Sequence, residues 1–223
     1  MSAPTMSGGD IAKPILFGAA YSVYVRIARL VLAEKNVDYD LIEVDIFAPD
    51  GPPADYRERH PFLRIPAFEH GELRLYETGA IIRYIDGAYP TPPLQPTDLR
   101  DRARMDQAIS ILDNYAYRTM VWDIFVERVR APQRGRAPDE ARIAAALPRA
   151  RTCLEALDRL RRGQPYLAGQ ALSLCDLYAA PMLAYFTMAP EGAALLAAVP
   201  GLAQWWQRLA PRASMAATRS PLE

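Results

Sequence analysis

Four prolines fall within the eight residues Tyr89-Pro-Thr-Pro-Pro-Leu-Gln-Pro96, and no helix or central strand can run through such a stretch. Proline lacks a backbone N–H, and its ring clashes with the turn before it. The segment therefore reads as a stiff linker. The textures on its two sides differ. From Ile11 to Tyr89 short strand-like runs alternate with helical ones, whereas from Thr97 onward the periodic segments are helical. The expected fold is an α/β domain over residues 11–89, a proline-rich linker over 90–98 and an all-α domain over 99–223. A chain of 223 residues, 51% hydrophobic and 23% charged, has ample material for the cores this requires.

Charge excludes some partners. Lys plus Arg and Asp plus Glu balance at 26 each, so no overall field draws the chain to nucleic acid or to an anionic membrane. Met1 to Ala12 is small and polar without a signal-peptide pattern, and no apolar run approaches the ~20 residues of a membrane span. A cytoplasmic protein is expected. Cys153 and Cys175 show neither CxxC nor metal spacing and read as buried small hydrophobes, so no metal is expected.

Within the first part, Pro14-Ile-Leu-Phe17 ends at Gly18 and reads as a buried strand. Val23, Ile27, Leu30 and Val31 share one face of a helix. Tyr39 to Ile46 alternates, which predicts a half-buried strand with Ile42, Val44 and Ile46 inward. Ile65 to Phe68 and Leu73 to Tyr76 flank Glu69-His70-Gly71-Glu72 as a hairpin. A helix follows, with Ala80, Ile81, Tyr84 and Ile85 as its inner stripe. The order β-α-β, loop, β-β-α is that of a thioredoxin-like domain. In the second part long helices are expected over Leu99 to Arg130 and Pro138 to Arg162. Ser173-Leu-Cys-Asp176 has the form of a capping box opening a helix through Met188, and Trp205 and Trp206 read as core in a final helix.

Three segments of the first part can carry chemistry. Ser22 places a hydroxyl where a strand turns into a helix, and unsatisfied N–H groups at a helix start favour an anion. Capping of that helix by Ser22 is the simpler role, and the two are compatible. In Arg64-Ile65-Pro66-Ala67 a proline opens a strand. A cis Ile65–Pro66 bond would turn the peptide groups of Ile65 outward to pair with an extended ligand; a trans proline starting an edge strand is the alternative. Glu77-Thr78-Gly79 ends a strand and opens a helix, so its N–H groups could hold a carboxylate while Glu77 holds an ammonium; capping of that helix by Thr78 is the simpler alternative. Thiolate, peptide edge and amino-acid head are the three parts of glutathione.

These segments resemble the glutathione S-transferase family, over nearly the whole chain, and in particular its bacterial, serine-using, phi-, theta- or zeta-like members. Gly18, Ser22 and Arg26 reproduce the family's glycine–serine–arginine spacing. His60-Pro61-Phe-Leu-Arg64-Ile65-Pro66 resembles its Asn-Pro-x-x-x-Val-Pro segment, and Glu77-Thr78-Gly79-Ala80-Ile81 its Glu-Ser-x-Ala-Ile segment. Departures are Val23 in place of a proline, Ala19-Ala20 in the turn, His60 for Asn and Thr78 for Ser. Tyr21 and Tyr24 flank Ser22 and stand as alternative partners of the thiolate. No cysteine lies in the first domain, which argues against members that form mixed disulfides.

The resemblance implies a thioredoxin-like domain followed by an all-helical bundle, with glutathione as co-substrate. It implies that Ser22 activates the thiol, that the backbone of Ile65 before Pro66 pairs with the cysteinyl unit, that Glu77 and Thr78 hold the γ-glutamyl end, and that Arg64 faces the glycyl carboxylate. A small hydrophobic electrophile would meet Tyr115, Tyr117, Met120 and Val121, with an ordinary place in the helical core as the alternative for these four. Detoxifying conjugation by a homodimer is the leading expectation. A glutathione-dependent isomerase or dehalogenase, or a non-catalytic glutathione-binding protein, would share the motifs.

Overall fold

The computed structural model describes residues 12–223; the polar stretch Met1 to Ile11, read above as free of a leader pattern, lies outside them. Strand β1 (Ile15–Phe17) is followed by helix α1 (Val23–Glu34) and strand β2 (Asp40–Ile42), which pairs with β1 in parallel. A 3-10 turn (Ala54–Glu58) leads to the antiparallel hairpin β3 (Ala67–His70) and β4 (Leu73–Tyr76), and then to helix α2 (Thr78–Ala88). The sheet order is β2-β1-β3-β4, the mixed sheet of a thioredoxin-like domain.

Three local expectations change. The alternating run from Tyr39 forms a strand only to Ile42, and in β2 Leu41 is the partly buried residue while Ile42 is 45% exposed. Because β2 is an edge strand that leaves the ladder after three residues, its alternation does not carry through to Val44, which is buried off the sheet. In α2, Ala80 faces outward and Ile82 takes its place beside Ile81 and Ile85 in the core. The hairpin turn is tighter than the four residues read from sequence. His70 pairs with Leu73, leaving Gly71-Glu72 as the turn, with Gly71 at φ 60°.

The second part begins with α3 (Leu99–Ile111), capped by Asp98 through the N–H groups of Arg100 and Asp101. It continues without a break into a π-helical segment (Leu112–Arg130) and the short α4 (Ala131–Gln133). Then come α5 (Glu140–Arg161), α6 (Leu174–Phe186), α7 (Pro190–Ala197), α8 (Pro200–Leu209) and α9 (Ala213–Ala217). The Ser173/Asp176 capping box is present, although α6 ends at Phe186 rather than Met188. Every residue of α6 is buried, and Trp205 of α8 donates to Asp176 at 2.8 Å. Among the described residues no helix is long and apolar enough to cross a membrane.

The two parts share a core. Helix α1 packs against α2 on one side and α6 on the other, and its residues Val25, Ile27, Ala28, Leu30, Val31 and Leu32 are wholly buried. The linker is tied to both. Asp86 at the end of α2 pairs with Lys35 at 2.5 Å and accepts from Leu94 N–H at 2.9 Å, while the Leu94 carbonyl accepts from Leu174 N–H.

Candidate active site

A cleft of about 740 Å³ opens where the thioredoxin-like part meets the helices, lined on the first side by Arg64, Ile65, Pro66, Glu77 and Thr78. Tyr24 of α1, Asp113 and Tyr117 of the π-helical segment and Tyr178 of α6 close the other side. Four backbone decisions shape it. The Ile65–Pro66 bond is cis. The sheet ladder starts at Ala67, which pairs with Phe17 and Tyr76, so the peptide groups of Ile65 lie outside it. The buried Tyr56 hydroxyl donates to the Arg64 carbonyl at 2.8 Å and fixes the approach to that bond. Glu77 turns β4 into α2 with φ 70°, a left-handed conformation uncommon for a side-chain-bearing residue. Its side chain makes no cap to α2; the Ala80 N–H donates to the Glu77 carbonyl at 2.9 Å, which leaves the N–H groups of Thr78 and Gly79 for a ligand anion.

Ser22 is the N-cap of α1: its Oγ accepts from Val25 N–H at 3.4 Å, and its own N–H donates to the Ala19 carbonyl at 2.9 Å. A hydroxyl that accepts in this way keeps its hydrogen to donate. The side chain does not line the cleft itself; Tyr24, half a turn on, does. Both flanking tyrosines have their hydrogens engaged. Tyr21 donates to Asp45 at 2.6 Å, and Tyr24 to Asp113 at 3.1 Å. Desolvation, followed by those carboxylates, pushes both phenols above their ordinary range. The start of α1 is held from the second part, since the Tyr185 hydroxyl donates to the Tyr21 carbonyl at 2.5 Å and the buried Arg26 pairs with Glu223.

Gly18 lets β1 and α1 approach the cis-proline loop. A Cβ at this position would lie 2.4 Å from Val25 Cγ2 and 3.2 Å from Ile65 Cβ, at φ 153°. Gly18→Ala is expected to destabilise the chain by about 1–3 kcal/mol through overpacking, read as a lower urea midpoint at unchanged slope; an unchanged midpoint would refute the contact.

The four helical residues expected at the electrophile are not brought together. Tyr117 lines the cleft and packs on Tyr24 with ring centroids 4.4 Å apart. Tyr115 lines a separate cavity of about 770 Å³, with Thr119 and Cys153 on its wall. Met120 and Val121 are core residues, 0% and 5% exposed. Residues two apart on a helix face different sides, so one run of sequence could not supply both tyrosines to one pocket. Both cysteines are buried, and desolvation raises both thiols, as suits structural residues.

Sequence reading missed Asp113 and Tyr178 in the cleft wall. Neither sits in a motif; the only signal was the i, i+4 spacing of Asp113 and Tyr117. His60, noted only as a departure from the family pattern, is 3% exposed and lines the cleft, with an Nδ1 that has no partner among the described residues. Desolvation lowers its pKa, ahead of the opposing charge of Glu77.

Comparison with known proteins agrees with this architecture. Residues 16–93 match the glutathione S-transferase N-terminal domain and residues 104–213 the C-terminal domain. The chain is 32% identical over 197 residues to glutathione S-transferase 4 of Zea mays, covering 88% of this chain and 87% of that protein. A theta class glutathione S-transferase from Xanthomonas axonopodis pv. citri, solved with glutathione bound, is 30% identical with a TM-score of 0.79, over 96% of this chain and 100% of that one. Glutathione S-transferase I from maize, in complex with an atrazine glutathione conjugate, is 27% identical with a TM-score of 0.81, over 93% and 96%. The chain thus belongs to the glutathione S-transferase family, as an enzyme built on that family's two-part fold.

Proposed function

We propose that Ser22 activates the thiol of glutathione for attack on a small apolar electrophile bound beside Tyr117. The observation that carries this is the hydrogen-bond state of the three candidate hydroxyls. Tyr21 and Tyr24 donate to carboxylates, whereas the Ser22 hydroxyl accepts from its own helix and keeps its hydrogen for a thiolate. A free thiol titrates near pKa ~8.5, and each unit of depression corresponds to ~1.4 kcal/mol of thiolate preference. The positive end of α1 and one donor hydroxyl are the groups that would supply it. The thiolate then attacks the electrophilic carbon and the leaving group departs with its electron pair.

The remaining assignments belong to the same proposal. Ile65 pairs through its backbone with the cysteinyl unit, Arg64 meets the glycyl carboxylate, and Glu77 with Thr78 holds the γ-glutamyl head. The division at residues 89 and 99, a cytoplasmic setting and a homodimer are further parts of it. Phe62, 68% exposed, and Tyr76, 40% exposed, stand side by side on the thioredoxin-like part and support the last.

Calorimetric titration of the full chain with glutathione tests the core of the reading, and binding weaker than millimolar with no competition from S-alkyl analogues would end it. With binding established, a panel of aryl halides, isothiocyanates, peroxides and maleyl isomerisation substrates distinguishes conjugation from isomerisation or dehalogenation.

A further inference from the structure

Ser22 sits on a turn that its own residues do little to fix. Tyr21 ties its side chain to Asp45, but Ala19 and Ala20 carry no polar side chain, and Val23 opens α1 without the preset φ of a proline. The peptide unit that joins Tyr21 to Ser22 is instead held at both of its polar atoms. Its N–H donates to the Ala19 carbonyl at 2.9 Å, and its carbonyl accepts from the Tyr185 hydroxyl at 2.5 Å. The first bond is local to the turn. The second comes from the last turn of α6, 164 residues along the chain.

Tyr185 is itself closely held. It is 3% exposed, and its ring stacks on Phe125 with centroids 4.3 Å apart and planes 9° apart. Its oxygen also meets the Ser220 hydroxyl. A phenol has one hydrogen, and Tyr185 gives it to the Tyr21 carbonyl, so Ser220 is the donor in that second bond. Ser220 in turn accepts from the Leu222 N–H at 3.1 Å. A chain of hydrogen bonds of one direction therefore runs from Leu222 through Ser220 and Tyr185 to the peptide that carries Ser22. Bonds in such a chain polarise and strengthen one another. The segment that supplies it is anchored on α1. The buried Arg26, one turn after Ser22, pairs with Glu223 and donates to the Met215 carbonyl at 3.2 Å, and Arg29 donates to the Thr218 carbonyl at 3.4 Å. Neither Tyr185 nor Ser220 lines the cleft, so their effect on a bound thiol passes through Ser22.

We propose that Tyr185, with Ser220 behind it, is the positioning residue that aims the Ser22 hydroxyl at the thiol. This rests on the reading of Ser22 given above and adds to it the groups that make the serine effective. A displacement of about 1 Å at a reacting group costs up to ~10²-fold in rate, so the placement of this hydroxyl matters as much as its presence. Tyr185 touches no reacting atom.

The test is a double-mutant cycle of Tyr185→Phe with Ser22→Ala in the full-length chain. Turnover is measured on the aryl halide chlorodinitrobenzene, glutathione affinity by calorimetry, and the bound thiol by thiolate absorbance against pH. Tyr185→Phe removes one oxygen and keeps the stack on Phe125. It should lower kcat about tenfold, leave the glutathione Kd within about twofold and raise the pKa of the bound thiol by about one unit. In the Ser22→Ala background the same substitution should change turnover and thiol titration by less than about twofold, since the hydroxyl it aims is gone. Ser220→Ala should show a smaller loss of the same pattern, and Ser220→Thr, which keeps the hydroxyl, should keep wild-type turnover. A loss that persists in full without Ser22, a loss confined to affinity, or a Tyr185→Phe variant equal to wild type overturns the inference. If Tyr185→Phe does not fold, Ser220→Ala goes through the same cycle with the same outcomes. If the halide is not turned over, the thiol titration alone completes it. A Ser22→Ala variant equal to wild type defeats the reading of Ser22 itself; an impaired Ser22→Ala beside an unaffected Tyr185→Phe defeats only the role of Tyr185.

Discussion

Asp176→Ala is expected to destabilise the chain by about 3–5 kcal/mol, close to the upper limit for a single substitution. The carboxylate is 0% exposed and accepts four hydrogen bonds. Oδ1 takes Leu167 N–H and the Trp205 indole N–H, each at 2.8 Å, and Oδ2 takes Ser173 N–H at 2.9 Å and the Ser173 hydroxyl at 2.6 Å. One side chain thus joins the loop before α6, the first turn of α6 and the buried face of α8. Alanine would strand three N–H donors in a dry interior, at about 1–3 kcal/mol for each one that fails to relax. Urea unfolding followed by tryptophan fluorescence reads the effect directly, because Trp205 is one of the stranded donors. Asp176→Asn keeps an acceptor oxygen for part of the network and should fall between the two. If the alanine variant unfolds within about 1 kcal/mol of wild type, the network does not hold α8 in place.

Ser22→Ala should lower turnover by about 10²–10³-fold, the usual effect of removing a single preorganised donor from a developing or bound anion. Glutathione affinity should change little, since the residues proposed to hold the rest of the tripeptide, Ile65, Glu77 and Arg64, remain. The substitution also removes a helix cap worth about 1 kcal/mol, so Ser22→Gly is the better control: glycine at an N-cap costs only a few tenths but lacks the hydroxyl just as alanine does. Both variants should show the bound thiol titrating back toward ~8.5 when thiolate absorbance is followed against pH. Tyr24→Phe decides the competing assignment. Its hydroxyl already donates to Asp113, so turnover is expected to survive its loss. Turnover that collapses in Tyr24→Phe and persists in Ser22→Ala would transfer the thiol contact to Tyr24.

Much of this architecture could be read from local rules. Pro90, Pro92, Pro93 and Pro96 forbid continuation of any element, so the break between textures was visible before any contact was known. Ser173 and Asp176 announce a helix start because capping chemistry is settled within four residues. The order of the first five elements follows from hydrophobic period and turn residues alone. Other features were hidden for physical reasons. Ile42 falls on the outer face because Leu41 is the inward residue of the three-residue edge strand β2, and the alternation through Val44 and Ile46 runs past the end of its ladder. Tyr115 and Tyr117 were grouped by nearness in sequence. In a segment whose hydrogen bonds close in the wider π pattern, even the α-helical periodicity of faces gives no guide to which of them meets the first part.

Sequence by itself determined the order of the first part, the longer helices of the second (though not α7, nor α9 beyond the helix of Trp205 that it reads as final) and the residue types that the proposed thiol corner needs: a hydroxyl at a helix start, a proline opening a strand, an acid and a hydroxyl where the next helix begins. Each of these is decided by bonds within a few residues, which is why linear spacing reveals them. Only the tertiary structure decided what faces them. Tyr24, Asp113 and Tyr178 come from three helices separated by up to 154 residues along the chain, and they meet because α1 packs between α2 and α6. No local preference encodes that meeting. It is set by how buried faces from distant segments fit together, and it fixes which hydroxyls are engaged by a carboxylate and which one stays free.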